Sequence, residues 1–280
     1  MPSAKSFKVD ERIPFVTAFE LVKSVLDLCF DIKGQTAIVT GASSGLGVTF
    51  AEALAELGTN LVIAARRYEK LAEVAENLAA KHKVKVLPVQ TDVSQEPQVL
   101  SMVETAVKRF GSLEILVNNA GVGTMSPSIG MSTEEWRKVI DINLTGVFLC
   151  SRVAAREMMK RKYGKIINVA SIYGAVGDIF PAAPYYASKA AVLNLTRAFA
   201  IEWAAYRINV NAIAPGFFPS EMTESLFKDK KALEHILSRT PLGRTGEPID
   251  VKAALVYLAC RASNYVTGQT IFVDGGWTAL

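Results

Sequence analysis

Short runs rich in β-branched residues alternate with amphipathic stretches along almost the whole chain, and this alternation constrains the fold most. Strands that alternate with helices form a parallel sheet covered on both faces. We therefore predict a doubly wound, Rossmann-type α/β fold of about seven parallel strands with helices on both faces. The predicted strands are Thr36 to Thr40, Leu61 to Ala65, Val84 to Val89, Leu113 to Val117, Lys165 to Ala170, Ile208 to Ile213 and Thr270 to Val273. Helical spacing of apolar residues marks segments between them, such as Val48 to Leu57 and Leu71 to Lys81.

The chain has 280 residues, a length that fits either two domains or one large α/β domain. No Pro-, Gly- or Ser-rich linker interrupts the alternation, so we predict a single domain over residues 30–280. Residues 1–29 form an N-terminal extension. Apolar side chains at three- and four-residue spacing between Phe15 and Cys29 predict an amphipathic helix there. Its acidic polar face favours docking on the domain or at a subunit contact over a membrane surface.

Charge and hydropathy exclude several classes of protein. Lys and Arg number 31 against 27 Asp and Glu, and the basic residues lie in short clusters such as Lys160 to Lys162, so we expect no nucleic-acid partner. No apolar run approaches the roughly 18 residues of a membrane-spanning helix. The first thirty residues lack the basic and apolar blocks of a signal peptide, which favours a cytoplasmic protein.

Cysteine and histidine are few. Cys29, Cys150 and Cys260 are odd in number, far apart and set among apolar residues, so we expect buried thiols and no disulfide. His82 and His235 are the only histidines, and no paired-cysteine spacing accompanies them. We therefore expect no metal site.

A glycine-rich segment follows the first predicted strand and opens a helix, which is where a dinucleotide-binding loop lies. Glycines let the backbone approach a pyrophosphate, and the helix N-terminus favours an anion. A tight turn that uses glycine only for its geometry is the alternative. The predicted cofactor contacts are Gly41, Ser43, Ser44, Gly45, Leu46 and Gly47, in a Gly-x3-Gly-x-Gly spacing.

This spacing, Asn118-Asn119-Ala120-Gly121 after the fourth strand and Tyr185-x3-Lys189 together resemble the short-chain dehydrogenase/reductase family, in its shorter single-domain form. The resemblance covers roughly Phe30 to Leu280. It implies hydride transfer with a nicotinamide cofactor, in a homo-oligomer that is commonly a tetramer. Within the family, the chain resembles the broad group that holds 3-oxoacyl carrier-protein reductases and gluconate-type dehydrogenases, without separating the two.

The end of the second strand bears on the choice of nicotinamide cofactor. An NAD site would present a carboxylate to the ribose 2′-hydroxyl here, but Ala65 stands at that position and Arg66 follows it. A guanidinium suits a 2′-phosphate through charge-assisted hydrogen bonds. We therefore predict NADP(H) over NAD(H), with Arg66 as the phosphate ligand. The alternative is a solvated start to the next helix, which we expect for Arg67.

The resemblance implies further cofactor contacts. Asp92 and Val93 would meet the adenine, although a helix cap is the alternative for that turn. The turn after the fourth strand would pass the adenosine ribose, and the segment after the sixth strand would lie along the nicotinamide. The residues assigned in this way are Asn119, Ala120 and Gly121 for the ribose, and Pro215, Gly216, Phe218 and Ser220 for the nicotinamide. Many relatives carry Thr where Ser220 stands.

Ketone reduction requires a proton donor and a group that polarises the carbonyl. Tyr185 and Lys189 share one face of a predicted helix, although such pairs are common by chance. A nearby ammonium and an oxidised nicotinamide are expected to lower the phenol pKa from about 10. The resemblance implies that Tyr185 is the acid/base, that Ser171 holds the substrate oxygen, and that Asn143 positions Lys189 through a water.

The segments expected to line the substrate site are apolar and carry few cations, which favours a bulky or apolar ketone or secondary alcohol over a small sugar acid. Two alternatives remain open. One is an NAD(H)-dependent polyol or sugar-acid dehydrogenase; the other is a non-catalytic dinucleotide-sensing protein on the same scaffold. The predicted pocket residues are Met125, Tyr173, Phe180, Phe217 and Met222.

Overall fold

A computed structural model describes residues 28–280 of the chain. The amphipathic helix predicted between Phe15 and Cys29 therefore lies outside the described residues, apart from its last two positions.

Seven strands form one fully parallel sheet in the order β3-β2-β1-β4-β5-β6-β7. This arrangement confirms the predicted doubly wound α/β fold. The strand β3 begins two residues later than predicted and holds Pro88, which an edge strand tolerates because one row of its N–H groups needs no partner strand. The strands are β1 (Thr36–Thr40), β2 (Asn60–Ala65), β3 (Val86–Gln90), β4 (Ile115–Asn118), β5 (Gly164–Val169), β6 (Ile208–Pro215) and β7 (Thr270–Val273).

The connections between strands are mainly helical. The 21-residue helix after β5 begins with Pro184 in its first turn, where the missing N–H costs no hydrogen bond. The α-helices in the described part of the chain are α1 (Leu46–Glu56), α2 (Tyr68–His82), α3 (Glu96–Phe110), α4 (Thr133–Ile140), α5 (Gly146–Arg161), α6 (Ala183–Trp203), α7 (Glu224–Lys228), α8 (Lys230–Ser238) and α9 (Pro248–Ala259).

Alternate side chains of each strand point to opposite faces of the sheet, and each face has its own core. On one face, residues such as Val39 and Ile63 pack with α1, α2 and α9. On the other face, residues such as Ile38 and Val62 pack with α3, α5 and α6. Both faces are thus apolar and covered, which explains why the strands read as continuous apolar runs.

The strand order reverses at β1, because β2 lies on one side of it and β4 on the other. The Thr40 hydroxyl, at the end of β1, accepts hydrogen bonds from the backbone N–H groups of Asn119 and Ala120, both at 3.1 Å, and donates to Val117 O. The loops after β1 and β4 are thereby joined. Loops at such a switch point diverge and leave a crevice at the carboxyl edge of the sheet.

Two composition-based expectations concern the described residues directly. Cys29, Cys150 and Cys260 are all free thiols there, with Cys150 and Cys260 buried. Among residues 28–280, no helix combines the length and the apolar character needed to cross a membrane.

Candidate active site

A cleft of about 690 Å³ opens at the carboxyl edge of the sheet. The glycine-rich loop after β1 and the ends of β2 and β3 border one side. The loops after β4, β5 and β6 and the start of α6 border the other. Most of the residues predicted from the sequence to bind cofactor or substrate line this cleft, although they come from positions between 41 and 222.

The glycine-rich loop is shaped by backbone geometry. Gly45 has a φ of +58°, a conformation that side chains disfavour. A Cβ at Gly47 would lie 2.2 Å from Gly41 O, so only glycine allows the loop to fold back on itself. Gly47 does not line the cleft but lies beneath the loop. The Asn119 amide donates to Thr40 O and Gly41 O at 3.0 and 3.1 Å, so this predicted ribose neighbour also supports the loop.

The helix α1 points its N-terminus at the cleft. Within the described chain, its N-cap residue Gly45 makes no side-chain cap and its first turn carries no acidic residue. Its first N–H groups and the positive end of the helix dipole therefore remain available to an anion.

Arg66 and Arg67 both line the cleft, and both are exposed. The Arg67 guanidinium donates to Ser44 Oγ at 2.9 Å and to Ser43 Oγ at 3.3 Å. Arg66 lies towards Asp92, on the β3 side. From the sequence we expected Arg67 to be a solvated residue, yet its guanidinium is the one that contacts the glycine-rich loop. The Arg-Arg pair after β2 indicated a cationic site, but the sequence alone could not show which of the two arginines contacts the loop.

Glu221 faces the same guanidinium from the loop after β6. Its carboxylate contacts Arg67 at 2.8 Å and Lys70 at 3.0 Å. These hydrogen bonds from Arg67 and Lys70 lower the pKa of Glu221 to about 2. The Glu221 carboxylate is therefore charged at neutral pH. It is paired with Arg67 and Lys70, the cations that would otherwise be free to bind a ligand at this end of the cleft. An exposed Glu in a polar loop gave no sequence signal of this contact.

The turn after β3 holds Asp92 and Val93 at the cleft wall. Asp92 Oδ1 accepts hydrogen bonds from the backbone N–H and the hydroxyl of Ser94, at 3.0 and 2.7 Å. Val93 is buried and packs against Gly146, where a Cβ would lie 2.7 Å from its Cγ2. The Asp92 carboxylate thus closes the turn before α3, while Oδ2 remains available to a ligand.

The end of β6 supplies Pro215 to the cleft, and the loop after it supplies Gly216, Phe218 and Ser220. Ser220 Oγ lies 3.0 Å from the Thr223 hydroxyl, and that hydroxyl donates to Phe218 O at 2.6 Å. Phe218 and Ser220, both predicted nicotinamide contacts, are thus linked through the hydroxyl of Thr223, a residue that the sequence did not single out.

Tyr185 and Lys189 lie one turn apart at the start of α6, with Lys189 Nζ 5.5 Å from the centre of the Tyr185 ring. The Lys189 ammonium donates to Val169 O at 2.7 Å, at the end of β5. Ser171, two residues further on, lines the same cleft and is buried. The structure therefore brings together Ser171, Tyr185 and Lys189, as the sequence predicted.

Burial dominates the titration of this group. Burial raises the pKa of Tyr185 above its ordinary value, and the hydroxyl of Ser171 offsets this in part. Burial also lowers the pKa of Lys189 to about 8. The expected lowering of the Tyr185 pKa therefore does not arise from the protein alone. It requires further positive charge at the cleft.

Asn143 lies one layer beneath the cleft, in a π-helical turn over Asp141–Thr145 rather than in a regular α-helix. Its side chain is fully buried and exchanges hydrogen bonds with the Val122 backbone, at 2.8 Å to N and 2.9 Å to O. A Cβ on Gly121 would lie 3.4 Å from Asn143 Oδ1 and 3.8 Å from Lys189 Nζ. Asn143 and Lys189 therefore approach each other across the bare backbone of Gly121.

The side of the cleft where the sequence predicts a substrate carries several large apolar side chains. Met125, Tyr173, Phe217 and Met222 line it as predicted. Phe180 does not line it; this side chain packs behind Phe217, with ring centroids 6.3 Å apart. The cationic residues along the described lining are Arg66, Arg67 and Lys189, and none of them belongs to the loops after β4, β5 or β6.

A family model described as "Enoyl-(Acyl carrier protein) reductase" matches residues 41–278. The chain is 40% identical over 256 residues to 2-dehydro-3-deoxy-D-gluconate 5-dehydrogenase of Dickeya dadantii, covering 89% of this chain and 98% of the relative. It is 42% identical over 243 residues to 3-oxoacyl-(acyl-carrier-protein) reductase FabG of Staphylococcus aureus, covering 86% and 97%. A solved gluconate 5-dehydrogenase of Burkholderia cenocepacia, in complex with NADP and tartrate, is similar at TM-score 0.87 and 37% identity, covering 91% and 99%.

The sheet, the cleft and these similarities define an oxidoreductase. The chain belongs to the short-chain dehydrogenase/reductase family, which confirms the resemblance seen in its motifs. The predicted group within the family is confirmed as well, since the similar proteins include both a 3-oxoacyl reductase and gluconate-type dehydrogenases.

Proposed function

We propose that this protein is an NADP(H)-dependent oxidoreductase that interconverts a ketone and a secondary alcohol, with Tyr185 as the acid/base. We further propose that the substrate is bulky or apolar. The observation that carries the proposal is the convergence of Tyr185, Lys189 and Ser171 on one wall of the cleft. A dinucleotide-sensing protein would have no use for this set.

The residues present fit a dinucleotide. The turn at Gly45, the uncapped start of α1 and the bare backbone of Gly121 beside Lys189 leave room where side chains would otherwise intrude. The loop would hold the pyrophosphate, Asp92 and Val93 the adenine, and Gly121 and Ser220 the ribose and carboxamide. When bound, the nicotinamide supplies or accepts the hydride.

Proton transfer would fall to Tyr185. Because burial raises its pKa, the phenol is protonated at neutral pH and can donate to a carbonyl oxygen as negative charge develops there. Ser171 Oγ would hold the same oxygen. The Lys189 ammonium would stabilise the phenolate left behind, and Asn143 would keep the backbone beside that ammonium in place.

Three observations support NADP(H). Within the described cleft, Ala65 brings no carboxylate to the end of β2. Arg67 lies between that end and the hydroxyls of Ser43 and Ser44, where it can meet a 2′-phosphate, and Arg66 adds a second guanidinium nearby. The Burkholderia cenocepacia relative was solved with NADP.

The substrate proposal depends on the apolar lining. A sugar acid needs a cation or several hydrogen-bond donors for its carboxylate. The described loops on the substrate side bring no cation to the cleft, and beside hydroxyls such as those of Thr124 and Ser225 they place the large apolar side chains of Met125, Phe217 and Met222. The second candidate is a polyol or sugar-acid dehydrogenase using NAD(H). The names of the gluconate-type relatives favour its sugar-acid substrate but not its use of NAD(H). The experiment below separates the two.

We also propose a homo-oligomer, a tetramer in the simplest case. Phe148 on α5 and Ile201 on α6 are exposed large apolar side chains on neighbouring long helices, and Tyr265 is fully exposed ahead of the edge strand β7. Such surfaces are typical of subunit contacts. Light scattering on the purified full-length chain measures the mass directly, and a monomer would contradict this part of the proposal.

The test measures oxidation of NADPH and of NADH in parallel against ketones that range from sugar-acid and polyol types to bulky aromatic and acyl types. We expect turnover of bulky ketones with NADPH. Tyr185→Phe should reduce turnover at least ~100-fold while NADPH binding stays within twofold, because the ring remains and only the transferable proton is lost. Preference for small sugar acids would support the second candidate. Wild-type turnover by Tyr185→Phe would refute the assigned role.

A further inference from the structure

A buried carboxylate outside the catalytic group joins two elements of the cleft wall. Asp178 lies in the loop between β5 and α6, and its side chain is fully buried. Its Oδ2 accepts from the Tyr173 hydroxyl at 2.8 Å. Its Oδ1 accepts from Ile179 N at 2.8 Å and lies 2.8 Å from His235 Nε2, on α8.

Burying a charged carboxylate without hydrogen-bond partners costs free energy of folding. The Asp178 side chain therefore requires these contacts in order to be buried. Arg239, at the end of α8, adds a guanidinium nitrogen 3.8 Å from Oδ1 and stacks over Trp277 at 4.9 Å. His235 is enclosed edge-on by Phe180 at 5.8 Å. The carboxylate therefore binds the loop after β5 to α8, an element that reaches it from 57 residues further along the chain.

Tyr173 carries this connection into the cleft. It follows Ser171 by two residues, and its backbone N–H donates to Ser171 Oγ at 3.2 Å. Its ring stacks on Tyr186 at 4.5 Å and meets the Tyr185 ring edge-on at 6.3 Å. A third, edge-on contact joins it to Phe217 at 6.0 Å. The ring thus stands between the proposed acid/base and the apolar end of the cleft.

The hydroxyl of Tyr173 is committed to Asp178. Burial, together with the neighbouring carboxylate, raises the pKa of Tyr173 well above its ordinary value, so this phenol stays protonated and keeps donating. The Tyr173 ring therefore lines the cleft while its hydroxyl is held by Asp178. The hydroxyl proton is already donated to that carboxylate.

We propose that Asp178, braced by His235, is a positioning residue that fixes the Tyr173 ring as the substrate-side wall of the cleft. The inference rests on the proposed function and deepens it. A fixed aromatic wall beside the acid/base selects a carbonyl compound with a flat apolar group next to the reacting carbon, because only such a group packs against the ring without losing hydrogen bonds to water.

The variants are Asp178→Asn, Tyr173→Phe and their double variant, with Tyr186→Phe as the matched control. Tyr186→Phe also removes a phenol hydroxyl from the same ring stack. That hydroxyl lies beside Tyr173, but it donates to Phe180 O and not to the Asp178 carboxylate, and Tyr186 does not line the cleft. For an aromatic ketone we expect KM to rise about 10-fold in each single variant, the effect of losing one hydrogen bond to a charged group. We expect kcat to change less than KM and the NADPH Kd to stay within twofold.

The double variant decides whether Asp178 acts through Tyr173. If it does, the double variant raises KM no further than either single variant. Additive effects, an equal rise in Tyr186→Phe, or an unchanged KM in Tyr173→Phe would each overturn the proposal. Asp178→Asn keeps one oxygen acceptor, so an Asp178→Ala variant that is worse than Asp178→Asn would support the hydrogen-bonded role.

Hydrogen exchange supplies a readout that is independent of turnover. Asp178→Asn should speed exchange in both residues 172–181 and residues 230–238, because the carboxylate joins these two segments. If the wild-type chain reduces no ketone, the proposed function fails, and exchange alone then decides the connection: faster exchange in both segments supports it, and unchanged exchange overturns it.

Discussion

Replacing Gly47 by alanine tests how tightly the phosphate loop is packed. The added Cβ would lie 2.2 Å from Gly41 O and 2.7 Å from Asn119 Nδ2, whereas an ordinary contact needs about 3.4 Å. The loop must therefore move by about 1 Å against backbone, and overpacking of this kind costs roughly 1–3 kcal/mol. A shift of that size also breaks one or more N–H contacts to a phosphate, each worth about 1.5–3 kcal/mol, so the NADPH Kd should rise at least ~10-fold.

Gly130→Ala is the matched control, since nothing lies within 4 Å of its added Cβ and its φ is not positive. Urea unfolding should place this control within about 0.5 kcal/mol of wild type, and Gly47→Ala about 2 kcal/mol below it. Titration of NADPH fluorescence then compares affinities. Equal unfolding midpoints and equal Kd values for the two variants would show that the loop accommodates the added Cβ. The argument that Gly47 is required for the packing of this loop would then fail.

Two further predictions concern charge. Glu221→Gln should strengthen NADPH binding several-fold and leave NADH binding unchanged. The Glu221 carboxylate contacts Arg67 and Lys70, and a 2′-phosphate would have to compete with it for these cations. Parallel Kd measurements check this, and an equal effect on both cofactors would contradict it. Burial lowers the pKa of Lys165 from 10.5 to about 8. Between pH 8 and 10 the unfolded chain therefore keeps a proton on this side chain that the folded chain has lost. The free energy of unfolding consequently rises with pH across this window. The difference in unfolding free energy between wild type and Lys165→Met should therefore increase in favour of wild type across that window, and a constant difference would refute the pKa shift.

Local sequence patterns were enough for the architecture. The strand runs predicted at Thr36–Thr40 and Thr270–Val273 match β1 and β7 exactly in the described chain, because both are short and bounded by turn residues. Most other ends differ by one or two residues. At β3, for example, the run was predicted from Val84, but the pairing with β2 begins at Val86. Strand pairing, which decides such ends, is not a local property.

The site was predictable to the extent that its motifs are local. Tyr185 and Lys189 come together through helical periodicity, and the glycine loop through its spacing. Arg67, Glu221 and Asp178 were missed because each depends on a contact between loops far apart in sequence. Asp178 illustrates the difficulty: an aspartate after a glycine resembles a solvated turn, and only the tertiary structure shows that it is buried against α8.

The neighbouring position of β1 and β4 has a consequence for how the protein acquires its site. Ala37 pairs with Ile115, 78 positions further along the chain, and the glycine-rich loop meets the loop after β4 only once this pairing exists. A nascent chain that ends before Ile115 would contain the complete glycine motif and still lack a binding surface. Such distant pairings form late and slowly in folding. Gain of nucleotide affinity during refolding would therefore report completion of the central sheet, and the ligand would stabilise only molecules that have passed that point.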